Sequence, residues 1–149
     1  MLSAKGKYGL KAMIFLAGLE AGDIAQVADI AQACSIPKKF LDQILSELRN
    51  GGLAFSKKGK AGGYALAKPA KAIKVGQIIR ILDGPLAPIA CASVTAYRPC
   101  DDCGNEKLCE VRLMMMEARE ALSNVFDKRT LAQMRLIAKP KATRSKAYI

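Results

Sequence analysis

Leu41, Ile44, Leu45 and Leu48 recur at i, i+3, i+4 and i+7, a stripe that matches one buried side of an α-helix. The pattern begins just after Pro37, which opens a helix well and biases the preceding residue away from one. It ends at Gly51-Gly52. Upstream, a shorter helical pattern puts Val27, Ile30 and Ala31 on one face and Cys34 at its end, with Ser35-Ile36-Pro37 as a tight break between the two. Helix, three-residue turn, helix predicts a helix-turn-helix unit.

The residues after Gly52 narrow the fold further. Leu53 to Lys57 alternates apolar and small or polar residues, KGKAGG forms a basic glycine-rich tip, and Tyr64-Ala65-Leu66 alternates again. That is the pattern of a β-hairpin, a wing. A first helix is expected over 8–21, with Leu10, Met13, Ile14 and Ala17 inward and Gly22 as its stop. A later helix carries Val75, Ile78, Ile79 and Leu82 on one face and stops at Gly84-Pro85. The expectation is a mainly α protein with a small β-wing. Residues 1–84 form a winged helix-turn-helix domain and 85–107 a Cys-rich loop. Residues 108–138 carry a dimerisation helix and a short last helix, with a basic, disordered tail over 139–149.

The last two helices are read from spacing. Leu108, Val111, Met115, Ala118, Leu122 and Val125 alternate steps of three and four, the period of a coiled-coil seam. Such a stripe outside a compact domain suits a partner subunit, although folding back on the winged helix is the alternative. Asp127-Lys128-Arg129 interrupts the pattern, and Thr130 with Gln133 fits a capping box for the last helix.

Charge locates the function. The chain has 149 residues and a formal charge of +11. Residues 37–80 hold ten Lys/Arg against only Asp42 and Glu47, whereas residues 1–36 balance three lysines with three acids. Such a local surplus fits a polyanion footprint. With the leucine stripe inward, Lys38, Lys39, Asp42, Gln43, Ser46 and Arg49 face outward. Gln pairs bidentately with adenine, Lys with guanine acceptors, and a carboxylate accepts from cytosine's amine. Lys57, Lys58 and Lys60 on the wing tip are placed to follow the phosphate backbone or enter the minor groove. Double-stranded DNA is therefore the expected partner, and the rival reading is a winged helix used for protein contacts alone.

Other classes fit poorly. The chain contains no histidine, which excludes a Ser-His or Cys-His catalytic pair, a Cys₂His₂ finger and a His-ligated metal. GKAGGY lies in a hairpin and does not open a helix as a P-loop must, so no enzyme is expected. No apolar run approaches the roughly 20 residues of a membrane span. The lysines before the first apolar stretch imitate a signal peptide, but Glu20 and Asp23 come after it without a good cleavage site. A cytoplasmic protein is expected, consistent with five cysteines, an odd number.

Four of those cysteines, Cys91, Cys100, Cys103 and Cys109, lie in the loop. Four thiolates satisfy an iron–sulfur cluster, 2Fe–2S or 4Fe–4S, or tetrahedral zinc. Cys100-Asp101-Asp102-Cys103 is also a C-x-x-C that could cycle between dithiol and disulfide, and a loop with no metal remains open. The neighbouring acids Asp101, Asp102, Glu106 and Glu110 do not favour a reactive bare thiolate. Cys34, alone on an apolar face, suits a core position.

The stretches KFLDQILSELRNGGL, KKGKAGGYALAKPA and IKVGQIIRILDGP, with the Cys-rich loop and long helix behind them, resemble the IscR, NsrR and CymR group of bacterial regulators over about residues 1–135. The resemblance implies a homodimer on a palindromic operator, with DNA affinity set by a signal. It places Asp42 where IscR-like members have a glutamate that tunes sequence choice, and Lys58 where they have a wing arginine. Lysine lacks the planar fork of arginine, which implies looser minor-groove readout. Cluster-binding relatives use three cysteines, the last two separated by five residues. Cys103-GNEKL-Cys109 has that spacing, with Cys91 as the first ligand. Two features depart from the group. The interval from Cys91 to Cys103 is longer and contains Cys100, and the position of the IscR histidine ligand is Arg112. The stretch matching the NsrR aspartate reads GKYG, with Lys7 near the position.

Overall fold

The structure, a computed structural model, describes residues 1–138. It contains α1 (Ala4–Leu16), α2 (Val27–Cys34), α3 (Lys38–Asn50), β1 (Ala54–Lys57), β2 (Gly63–Leu66), α4 (Val75–Asp83), α5 (Glu110–Phe126) and α6 (Leu131–Ile137). The fold is mainly helical with one antiparallel hairpin, as the periodicities predict. The tail expected over 139–149 lies outside the described residues. Among the described residues, no helix is long and apolar enough to cross a membrane.

Leu41, Ile44, Leu45 and Leu48 are all buried, so α3 turns the expected stripe inward. They meet Ala12, Met13 and Leu16 of α1, Ile30 of α2, and Ile78 and Leu82 of α4 in one core. Ser35 ends α2 in the left-handed region (φ 55°), and Ile36 tucks into the core before Pro37 opens α3. The break between the two helices is therefore made by backbone geometry as well as by proline.

The first helix begins and ends earlier than its apolar spacing suggests. Ser3 caps it by accepting from the Gly6 N–H, and its own N–H and hydroxyl donate to the Asp83 carboxylate at the end of α4. A cap residue held in place by the distant Asp83 fixes this start, which the apolar periodicity does not contain. The buried face is Gly6, Gly9, Ala12, Met13 and Leu16, with Leu10, Ile14 and Ala17 only half-buried. The expected stripe is rotated because two glycines let α4 approach α1 closely.

β1 and β2 pair from Ala54–Leu66 to Lys57–Gly63. Ala25 adds an isolated bridge to Tyr64, with N–H to O distances of 3.0 and 2.8 Å. A Cβ at Gly63 would lie 2.2 Å from the Ala25 carbonyl oxygen, so this close approach requires glycine. The wing is thereby tied to the chain entering α2.

The C-terminal part both leaves the core and returns to it. The loop after α4 contains two short 3₁₀ turns, Ala90–Ala92 and Glu106–Leu108. α5 starts at Glu110, with Cys109 as its N-cap. Thr130 and Gln133 form the expected capping box of α6. Leu131 is fully buried in the winged-helix core, and its N–H donates to the Ile73 carbonyl at 2.9 Å. α6 is thus packed with the first half of the chain, whereas α5 has no buried residue.

Candidate nucleic-acid interface and cysteine loop

α3 and the wing converge on one open groove. It is lined by Lys38 and Asp42 from the first turns of α3, Lys57 and Lys60 from the wing, and Gln26 and Val27 at the start of α2. The Gln26 side-chain amide donates to the Lys60 carbonyl at 3.0 Å, which fastens the wing tip beside α2. At the other end of α3, Arg49 donates to Ser46 Oγ at 3.2 Å and to Ser56 Oγ of β1 at 3.5 Å. The wing is therefore tied at its tip to the start of α2 and at its base to the end of α3. Among the described residues, three ammonium groups line the groove with one carboxylate, which leaves it cationic.

The remaining expected contacts are placed around this groove. Lys39, Gln43 and Lys58 are exposed but do not line it, and Ser46 is half-buried beneath Arg49. Gln43 is held on another flank of α3: its Nε2 donates to Glu47 Oε1 at 3.2 Å, and Glu47 pairs with Lys5 of α1 at 2.7 Å. Sequence reasoning passed over Gln26, Lys5 and Glu47. The i, i+4 spacing of Gln43 and Glu47 is a local signal. The partners from α1 and α2 have no such signal.

The cysteine loop lies away from this groove, against α5. Arg112 Nε donates to the Cys91 carbonyl at 3.0 Å and its Nη1 to the Glu106 carbonyl at 3.4 Å. Arg119 Nη1 donates to the Ala92 carbonyl at 2.7 Å. Two arginines of one helix thus hold both 3₁₀ turns. Cys91 is buried, Cys103 and Cys109 are half-buried, and Cys100 is exposed. The Cys100 thiol donates to Asp102 Oδ1 at 2.7 Å, which raises its pKa and lowers that of the carboxyl. Burial pushes the Cys103 thiol up, and proximity to Cys109, Glu106 and Cys91 adds to the rise. Tyr97 is also raised by its hydrogen bond to Glu106.

The four thiols lie between the Cys91 turn and the start of α5. The thiol donor set suits a thiophilic metal or cluster. Among the described residues, however, no three Cys, Asp or Glu side chains are arranged to hold a metal ion. Cys34 sits in the core as expected, its thiol pKa raised by burial against the lowering effect of Lys11.

α5 shows the other unusual surface. Of the expected seam, Leu108 falls in the 3₁₀ turn before α5 and is 71% exposed, and Val111, Leu122 and Val125 on α5 are 60%, 38% and 54% exposed, while Met115 and Ala118 are half-buried. Among the described residues, most of the stripe has no cover.

Helix, left-handed turn, recognition helix and cationic wing define a winged helix-turn-helix regulator. Residues 2–135 match the family model Rrf2, described as an iron-dependent transcriptional regulator, and the chain belongs to that family. The chain is 37% identical over 145 residues to an rrf2-like HTH-type transcriptional regulator of Rhodobacter capsulatus, covering 95% of this chain and 97% of that protein. It is 42% identical over 88 residues to the HTH-type transcriptional regulator CymR of Bacillus subtilis, covering 59% of this chain and 64% of that one. Among solved structures, CymR (YrzC), the global cysteine regulator of B. subtilis, superposes with a TM-score of 0.75 at 33% identity, covering 93% of this chain and 98% of that one. IscR of T. potens gives 0.74 at 28% identity, covering 96% and 91%. The expected likeness to the IscR, NsrR and CymR group is borne out. The chain is a DNA-binding transcriptional regulator by family.

Proposed function

We propose that this chain acts in the cytoplasm as a homodimeric repressor that reads a palindromic operator and responds to a signal at its cysteine loop. The observation that carries the DNA reading is the shared groove of α3 and the wing, where Lys38, Lys57 and Lys60 converge. In this reading, Lys38, Lys39, Asp42, Gln43, Ser46 and Arg49 face the major groove. Lys57, Lys58 and Lys60 hold phosphates or the adjoining minor groove. The uncovered stripe on α5 supports pairing of two subunits, which would set the spacing of the two half-sites.

For the sensor, Cys91, Cys103 and Cys109, completed by Cys100, would hold an iron–sulfur cluster. The support is the thiolate requirement of such clusters and the four thiols grouped in one loop beside the start of α5. Bound there, the cluster would supply a redox- and iron-dependent link between the Cys91 turn and the start of α5. Arg112 and Arg119 already hold that turn against α5, so a change in the loop has a short path to the dimer helix.

A second reading is a metal-independent regulator controlled by a partner protein. It is favoured by the absence, among the described residues, of three ligating side chains in metal-holding array. It also draws on the likeness to the cysteine regulator CymR. Iron and sulfide content of anaerobically purified protein, measured with DNA affinity before and after air exposure, separates the two. The cluster reading expects a brown protein whose affinity changes as the colour bleaches. A colourless protein without iron after anaerobic reconstitution overturns it in favour of the second.

A further inference from the structure

We infer that Glu47, held by Lys5, is a positioning residue that makes Gln43 read adenine and refuse guanine. This rests on the DNA-binding reading of α3. It concerns a relay that begins on α1, outside the helix-turn-helix pair. Lys5 Nζ lies 2.7 Å from Glu47 Oε2, and Glu47 Oε1 accepts from Gln43 Nε2 at 3.2 Å. Glu47 is one helical turn behind Gln43 on α3, and both Lys5 and Glu47 are only partly exposed.

The chemistry of the pair fixes which way the amide points. An ionised carboxylate only accepts, so it can face the NH₂ group of Gln43 but not its carbonyl. Lys5 helps hold the Glu47 carboxylate in place. The amide is therefore left with one free N–H and a free carbonyl oxygen. That combination matches the major-groove edge of adenine, whose N6 donates and whose N7 accepts. Guanine offers two acceptors, O6 and N7. Pairing with both would need the N–H that Glu47 already occupies, and the Gln43 carbonyl would oppose O6. With Glu47 removed, the amide can rotate and serve either purine.

The test is parallel selection from a random duplex library with the wild-type protein, Gln43→Ala, Glu47→Ala and Lys5→Ala. Affinities for adenine and guanine duplexes are then measured. Gln43→Ala should make one position in each half-site degenerate. Glu47→Ala should admit guanine beside adenine at that same position, cutting a roughly tenfold preference to near parity. Lys5→Ala should do the same more weakly. Thermal melts confirm that each variant is folded, and a structural role alone would weaken all sequences together without changing the base preference. An unchanged purine preference in Glu47→Ala, or a change confined to other positions, overturns the inference. Selection of no sequence by the wild-type protein sinks the operator-reading proposal instead.

Discussion

Arg80 on α4 grips Asp127 at the end of α5 with both terminal guanidinium nitrogens, Nη1 to Oδ1 at 2.5 Å and Nη2 to Oδ2 at 2.8 Å. Ser123 donates to the same carboxylate at 2.5 Å, and a Cβ at Gly76 would lie 2.0 Å from Asp127 Oδ1. This pair joins the winged helix to the C-terminal end of the helix with the uncovered seam. Bidentate geometry makes it stronger than an ordinary surface pair, while partial exposure limits it. Asp127→Asn is expected to cost about 1 kcal/mol at neutral pH, read as a lower Tm.

The same carboxyl sets a pH dependence. Its hydrogen bonds from Arg80 hold the Asp127 pKa below the ordinary carboxylate value. A group depressed in the folded state binds more protons when unfolded, so its stabilising contribution is complete above the unfolded pKa of about 4. That contribution is lost as pH falls through the lower folded pKa. The Tm difference between wild type and Asp127→Asn should be constant from pH 7 to 5 and shrink below about pH 4. A difference that persists unchanged at the acid end would exclude the ion pair as its source.

Leu131 tests how the last helix is held. Its side chain is fully buried with Ala12, Met13 and Ile73, whereas Leu136 on the same helix is 61% exposed. Leu131→Ala should cost about 2–4 kcal/mol and Leu136→Ala much less in the isolated chain. Denaturant melts of the two variants measure the contrast directly.

This distinction marks the boundary between what is legible in the sequence and what is not. The α3 stripe, the hairpin and the Thr130–Gln133 cap are local patterns, and each is found in place. The outward set from Lys38 to Arg49 comes from the same stripe by geometry alone. Ties between residues far apart carry no periodic signal: Ser3 to Asp83, Arg80 to Asp127, Lys5 to Glu47. The first of these also explains why α1 starts before its apolar pattern does. In the cysteine loop, spacing names the thiols, but the arginines that hold their turns lie on a helix read only for its apolar seam.

Phosphate contacts and base contacts should separate by salt. Lys57 and Lys60 line the groove from the wing and are exposed. Replacing either with alanine should weaken specific and unrelated DNA alike. It should also lower the slope of log affinity against log salt by about 1. Fluorescence anisotropy titrations across a salt series give both quantities. A variant that loses operator affinity with an unchanged slope would show that its lysine does not neutralise a phosphate.

The α5 seam should decide assembly. Val111 is 60% exposed and Leu122 is 38% exposed. Val111→Glu with Leu122→Glu introduces two charges that a subunit interface would have to desolvate. Sedimentation equilibrium should give twice the 16.0 kDa chain mass for wild type and the single mass for the double variant. Because both changes lie on an exposed face, the variant should keep its helical content while losing operator binding. A wild-type chain that sediments as a monomer at assay concentrations would remove the dimer from the proposal.

Arg112 offers the sharpest test of the proposed role of the cysteine loop because it supplies no ligand of its own. Its guanidinium ties the Cys91 carbonyl to the Glu106 carbonyl, and its backbone N–H donates to Cys109 Sγ at 3.5 Å. Arg112→Ala keeps every thiol and the helix backbone but frees the two 3₁₀ turns from each other. If those turns present the ligands, iron retention after anaerobic reconstitution should fall about tenfold in affinity, as when an outer hydrogen-bond partner of a metal site is removed. Cys91→Ser, Cys103→Ser and Cys109→Ser should each abolish retention. Cys100→Ser should be milder, because that thiol is exposed and already engaged by Asp102. Equal iron content in wild type and all five variants would show that the metal is adventitious and would leave the partner-controlled reading.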